Sequence, residues 1–90
     1  MKAMRSDVVE VRALPGQRLW LRFEDGSSGE VAVSKLVTFD GVFESLADQA
    51  FFAKVRVQEE TRTVCWPNDA DLDSDVLYSL ATGAPLPEFD

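Results

Sequence analysis

Hydrophobic and polar residues alternate along three stretches of the first third of the chain. Asp7–Leu14, Arg18–Glu24 and Glu30–Ser34 have this period of two, which is typical of half-buried β-strands. Pro15-Gly16 separates the first two stretches, and Asp25-Gly26 separates the second from the third. Both pairs are turn signals, and Asp-Gly is among the strongest hairpin signals. The pattern therefore predicts a three-stranded antiparallel meander.

The same alternation assigns side chains to the two faces of these strands. Two groups are each predicted to share a face: Val9, Val11 and Ala13 in the first strand, and Leu19, Leu21 and Phe23 in the second. Val8 and Trp20 are then expected on the opposite faces of their strands. A tryptophan exposed on a sheet is a typical interface anchor, so Trp20 is a candidate partner-binding residue. Trp66 is expected in the core.

The middle of the chain is less regular. Asp48 is placed to cap a brief helix through Phe51-Phe52-Ala53, because an aspartate at this position can accept a hydrogen bond from the first turn. The buried stripe of this segment is expected to comprise Leu46, Ala50 and Phe51. Two further strands, Lys54–Gln58 and Thr63–Trp66, are predicted to pair as a hairpin, and Pro67 ends the second because proline cannot donate to the ladder.

Helical spacing returns after this hairpin. Asp71 or Asp73 can cap a helix over Ser74–Thr82, and Gly83 can end it. Its apolar stripe is expected to comprise Val76, Leu77, Leu80 and Ala81. The chain is thus predicted to be one α+β domain spanning 1–90, with a core at 7–83 and an extended tail at 84–90. Its antiparallel sheet of about five strands carries a short middle helix and a C-terminal helix.

Composition argues against the common catalytic classes. The sequence has no histidine, which removes the usual general base and the commonest transition-metal ligand, and no glycine-rich phosphate loop. With Cys65 as its one cysteine it forms no intrachain disulfide, which favours a reducing compartment. It has no apolar run long enough to span a membrane. We therefore expect a cytoplasmic protein that is not an enzyme and needs no cofactor.

Charge is unevenly distributed along the chain. The net charge is −7; residues 63–90 hold six Asp/Glu and no Lys/Arg, whereas residues 1–62 hold nine Lys/Arg and ten Asp/Glu. A negative surface repels phosphate backbones, so we expect no direct nucleic-acid binding. An acidic end suits solubility or the steering of a basic protein partner.

Four aspartates alternate with other residues in this acidic end: Asp69, Asp71, Asp73 and Asp75. Their spacing is similar to that of a calcium loop, but Ser74 stands where such a loop needs glycine and Leu80 where it needs a bidentate glutamate. Helix capping and the favourable position of carboxylates near a helix N-terminus explain them better. We expect no metal site here, and we take these aspartates, with Trp20, as candidate partner-binding residues.

Several longer motifs follow one another along residues 7–82. They are Leu21-Arg22-Phe23-Glu24-Asp25-Gly26, Phe43-Glu44-Ser45-Leu46-Ala47-Asp48, Phe51-Phe52-Ala53-Lys54-Val55, Thr63-Val64-Cys65-Trp66-Pro67-Asn68, Asp71-Leu72 and Asp75-Val76-Leu77-Tyr78. In this order they resemble the small bacterial proteins of domain-of-unknown-function family 2442. That family usually has glycine after Trp-Pro-Asn, where this chain has Asp69. Aspartate tolerates the left-handed conformation better than most residues, so we expect the turn to be preserved.

The resemblance implies an α+β fold with a curved antiparallel sheet, and it implies no known activity and no catalytic residues. Members of the family are often encoded beside another small protein, in an arrangement like a toxin–antitoxin pair. Together with the acidic end, this favours a non-catalytic protein-binding module, antitoxin-like or accessory to a basic partner from an adjacent gene. The alternative is a self-assembling structural domain, most simply a homodimer through a sheet edge or the Trp20 face.

Overall fold

Two antiparallel sheets and a C-terminal helix form the part of the chain described in the computed structural model, residues 6–83. The elements are β1 Val8–Leu14, β2 Arg18–Phe23, β3 Ser28–Ala32, two 3-10 helices at Val33–Lys35 and Gly41–Ala47, α1 Gln49–Phe52, β4 Arg56–Gln58, β5 Thr63–Cys65 and α2 Ser74–Thr82. The predicted α+β fold is confirmed. The predicted tail at 84–90 lies outside the described residues. None of the helices within 6–83 is long and apolar enough to cross a membrane.

The five strands divide between two sheets. The meander forms one sheet in the order β1-β2-β3, and β4 pairs with β5 in a second, two-stranded sheet. A backbone hydrogen bond connects the sheets, since the Val8 N–H donates to the carbonyl oxygen of Arg62 at 2.8 Å. β3 ends earlier than predicted because the backbone turns into a 3-10 helix at Val33, where the N–H donates to Gln17 instead of to a strand.

An irregularity in the pairing of β1 with β2 changes the faces of β1. The residues opposite Val8 and Glu10 are neighbours in β2, so Val9 is an extra residue in the ladder. This is a β-bulge, which shifts the alternation by one position. Val8 is fully buried and belongs to the core, and Val11 packs against the same core. The prediction that Val8 lies on the face opposite Val11 is therefore wrong, because strict alternation does not allow for the inserted residue.

Trp66 lies at the centre of the core. It is fully buried, its ring centroid is 5.6 Å from that of Phe52, and its Nε1–H donates to the Phe52 carbonyl oxygen at 2.9 Å. The prediction that Trp66 is a core residue is confirmed. The shared face predicted for β2 is also confirmed, because its three apolar side chains are all fully buried: Leu19, Leu21 and Phe23.

The middle segment is a 3-10 helix followed by a single α-helical turn. The Asp48 carboxylate accepts a hydrogen bond from the Ala50 N–H at 3.1 Å, so the predicted cap is confirmed. Leu46 and Phe52 are fully buried, whereas Phe51 is half-buried and Ala50 is exposed. The predicted stripe is therefore wrong at Ala50, and it left out Phe52; Phe51 packs against the core as predicted. The 3-10 helix has three residues per turn and α1 has 3.6, and the backbone between them is extended at Asp48. One helical spacing therefore does not apply to the whole segment.

The bounds of α2 agree with the prediction. The Asp73 carboxylate accepts a hydrogen bond from the Asp75 N–H at 2.8 Å, and Gly83 ends the helix in the left-handed conformation at φ 78°. Leu77 is fully buried, but the Leu80 side chain is 45% exposed. Leu80 was expected in the buried stripe and lies outside it, because α2 turns a neighbouring strip of its surface toward the sheet.

This strip contains Tyr78 beside Leu77 and Ala81, two members of the predicted stripe. Val76, also predicted there, is not among the side chains that pack against the core. The Tyr78 ring contacts the Phe23 ring edge-on, with 4.9 Å between centroids. A Cβ atom at Gly29 would collide with the backbone carbonyl of Ala81, so glycine allows the helix to lie directly on β3. Gly29 pairs with Leu21, and paired residues share a face, so α2 covers the buried face of the meander.

The two tryptophans provide a matched test of this core. We expect Trp66→Phe to lower the free energy of unfolding by about 2–4 kcal/mol, because it leaves a cavity and removes the buried hydrogen bond from the indole to the Phe52 carbonyl oxygen. The control Trp20→Phe, on the opposite face of the sheet, is expected to cost less than about 1 kcal/mol. Urea unfolding followed by circular dichroism measures both. Equal costs for the two variants would contradict the central position of Trp66.

Candidate protein-binding surfaces

Trp20 lies at the centre of the sheet face opposite α2, which we call the open face. Its neighbours in the ladder are Arg12 on β1 and Glu30 on β3. The guanidinium carbon of Arg12 lies 5.5 Å from the centroid of the Trp20 ring, within range of a cation–π interaction. The indole is half-buried. The prediction that Trp20 points away from the core is confirmed.

Charged side chains surround Trp20 on the open face. They form three ion pairs: Arg12–Glu10 at 3.0 Å, Arg18–Glu30 at 3.0 Å and Arg22–Glu10 at 3.2 Å. Hydrogen bonds from Arg12, which has the larger effect, and from Arg22 hold the pKa of the Glu10 carboxyl below its usual 4.5. Solvent screens pairs as exposed as these, so they balance the charge of the face more than they stabilise the fold.

The pKa of Glu10 can be tested with three arginine variants. We expect Arg12→Gln to raise it most, Arg22→Gln to raise it less, and the control Arg18→Gln to leave it unchanged, since Arg18 pairs with Glu30. A pH titration of the Glu10 carboxyl followed by ¹³C NMR measures these changes.

The sign of the pH dependence follows from the lowered pKa. The pairs contribute to stability above pH 4.5, and the contribution is lost as the pH falls through the lower folded-state value. The same rise in the pKa of Glu10 in all three variants would show that the net positive charge of the face causes the shift. It would contradict a shift caused by the hydrogen bonds from Arg12 and Arg22.

The four aspartates lie in the segment 69–75, which runs from the turn after β5 into the first turn of α2 and which we call the acidic loop. Asp69, Asp71 and Asp73 are exposed, whereas Ala70 and Leu72 between them are buried in the core. The alternation of the sequence is therefore that of a chain lying along the core surface, with its apolar side chains inward and its carboxylates in solvent.

Three of the aspartates have structural roles within the acidic loop. Asp69 adopts φ 70°, so the left-handed turn expected there is present without glycine. Asp73 caps α2, and Asp75 accepts a hydrogen bond from the Ser6 hydroxyl at 2.5 Å. Asp71 makes no side-chain hydrogen bond or ion pair with any other residue in 6–83. No group of three or more Asp, Glu or Cys side chains in the described range is arranged to hold a metal ion.

An apolar groove adjoins the acidic loop, and we call it the acidic-rimmed groove. Its apolar lining comes from Leu36, Val37, Phe43, Leu72 and Val76, and exposed Asp71 and Asp73 also border it. Its volume is about 200 Å³. Small-molecule sites usually measure roughly 300–1,000 Å³, so this groove suits one or two side chains of a partner better than a cofactor.

The groove is held together through Asn68. Its amide Nδ2 donates to the Val42 carbonyl oxygen at 3.0 Å, and its Oδ1 accepts from the Ala70 N–H at 3.2 Å. Asn68 thus connects the 3-10 helix on one side of the groove to the acidic loop on the other. Sequence reasoning missed the groove because its walls are distant in the chain. Leu72, an apolar residue among aspartates, is the signal that could have indicated it.

The residues predicted to bind a partner fall on two separate surfaces. Asp71 and Asp73 border one groove, and Asp69 lies beside Asp71 on a polar depression that also includes Arg56. Trp20 lies on the open face, and α2 packs on the other side of the sheet. Trp20 and the acidic loop therefore do not form one continuous site.

Comparison with known proteins identifies the family and leaves its activity undefined. The family model described as "Protein of unknown function (DUF2442)" matches residues 8–83. No curated protein matches the chain, and neither does any solved structure. The matched region runs from the first residue of β1 to the glycine that ends α2, and it includes Trp66 and the acidic loop. The chain therefore belongs to domain-of-unknown-function family 2442.

Proposed function

We propose that this protein is a non-catalytic protein-binding module that recognises a basic protein partner, as the antitoxin-like or accessory member of a two-gene pair. One observation carries the proposal. Residues 63–83 contain four carboxylates and no lysine or arginine, and within the described range none of the four forms an ion pair. The three ion pairs found within residues 6–83 lie instead on the open face.

Unpaired carboxylates on an exposed loop act over a distance. At physiological ionic strength the field of such a group extends about 8 Å before salt screens it, and several groups of one sign add. Fields of this kind raise the rate at which an oppositely charged protein associates more than they raise its final affinity. The acidic loop is therefore suited to capturing a basic partner.

The open face favours a second candidate, the self-assembling homodimer. Trp20 is an aromatic side chain on a sheet face and is surrounded by ion-paired charges of both signs. Charges of both signs that are already paired do not repel a second copy of the chain. Full burial of the half-buried Trp20 side chain in an interface would add binding energy. The two candidates use different surfaces, so one set of variants separates them.

Co-expression with the product of the adjacent gene tests the first candidate. We expect a complex that is recovered at low salt, with an association rate that falls as salt rises. The double variant Asp69→Asn/Asp71→Asn is expected to slow association by about tenfold, because it removes two exposed carboxylates. Asparagine tolerates the left-handed turn at position 69. Glu59→Gln/Glu60→Gln, in the turn between β4 and β5, is the control with the same change in charge.

Each outcome decides between the candidates. Absence of a complex at low salt, or equal slowing by the two double variants, contradicts recognition through the acidic loop. Light scattering of the protein alone tests the homodimer: a mass of two chains that falls to one in Trp20→Ala supports it, and a single-chain mass at high concentration contradicts it.

A further inference from the structure

We infer that the acidic-rimmed groove holds a short segment of a protein partner in which a large apolar side chain stands beside a lysine or arginine. The inference rests on the proposed function and names its binding site. Two features point to this occupant: the apolar lining of the groove and the sign of the charge at its border.

The apolar lining is available to a partner. Val76 is half-buried at the first turn of α2 but is not among the side chains that pack against the core, so its surface faces the groove. Phe43 and Val37 line the groove while packing against the core. In protein interfaces most of the binding energy comes from a few side chains that fill such pockets. A volume of about 200 Å³ limits the occupant to one or two of them.

The negative charge at the border of the groove favours a cationic residue next to the partner's apolar side chain. Asp71 and Asp73 border the groove, and none of the residues that line it is a lysine or arginine. The N-terminus of α2 by itself favours an anion, but Asp73 and Asp75 lie at its cap and first turn and offset that field. The hydrogen bond from the Asp75 N–H fixes the Asp73 carboxylate. This side chain therefore loses little conformational entropy when it binds a cation.

These features make other occupants unsuitable. A phosphorylated or carboxylate ligand meets two negative charges, and a drug-sized molecule needs more space than the groove has. A second copy of this chain is another possible occupant, and sedimentation of the protein alone distinguishes it from a partner protein.

The probe is a short synthetic helical peptide with leucines on one face and lysines beside them, titrated into the ¹⁵N-labelled protein. We expect saturable NMR shifts confined to the residues that line the groove. The matched peptide with glutamate in place of lysine is expected not to bind. Val76→Lys is expected to weaken binding by about tenfold or more, because it places a cation and a longer side chain in the groove.

Two matched controls accompany these changes. Leu80→Lys introduces the same side chain one turn further along α2, where the native side chain is 45% exposed and outside the groove, and it is expected to bind as the native protein does. Asp71→Asn is expected to weaken binding by about threefold, and Asp69→Asn, outside the groove, to leave it unchanged. Asp71 is exposed, so its variant tests the inference even if Val76→Lys does not fold.

The outcomes separate this inference from the proposed function. Equal binding of the lysine and glutamate peptides, or unchanged binding to Val76→Lys and Asp71→Asn, overturns the groove as the site. A complex with the adjacent gene product then still supports the proposed function. Sedimentation of the protein alone gives the third outcome: self-association that Val76→Lys abolishes assigns the groove to a second copy and overturns the inference.

Discussion

Burial of the Trp66 indole is the interaction on which the second half of the fold depends. The ring packs against Phe52, and its Nε1–H donates to the Phe52 carbonyl oxygen, which connects α1 to the end of β5. The backbone N–H of Trp66 donates to Ala70, and its carbonyl accepts from Asp69. A buried indole N–H without an acceptor would cost about 1–3 kcal/mol, so the tryptophan requires this arrangement of its neighbours. The acidic loop therefore begins at a rigid point.

That rigidity gives the acidic loop its shape. Asn68 connects the loop to the 3-10 helix, Leu72 is held in the core, and the Thr63 hydroxyl donates to the Leu72 carbonyl oxygen at 2.5 Å. At its far end Asp73 is fixed by the cap of α2. The carboxylates are therefore presented from a backbone that is restrained at several points. A partner pays little conformational entropy to meet them, which is how a small loop can support recognition.

Features that depend on neighbouring residues could be predicted from the sequence, and features that depend on distant residues could not. The Asp25-Gly26 turn is local, as are the caps at Asp48 and Asp73, and all three are present. The bulge at Val9 depends on how β2 lies beside β1, which alternation within one strand cannot reveal. The acidic-rimmed groove forms where residues 36–43 meet residues 71–76, and nothing within either segment specifies the other.

The contrast between the two tryptophans has a practical consequence. Trp66 is sealed from solvent, whereas Trp20 lies on the open face beside Arg12. A sealed indole fluoresces at shorter wavelength than one in contact with water, so we expect the emission spectrum of the native chain to contain two components. The blue component reports the integrity of the core and the red one reports events on the open face. The molecule thus contains two intrinsic optical reporters, one inside and one outside, without any attached dye.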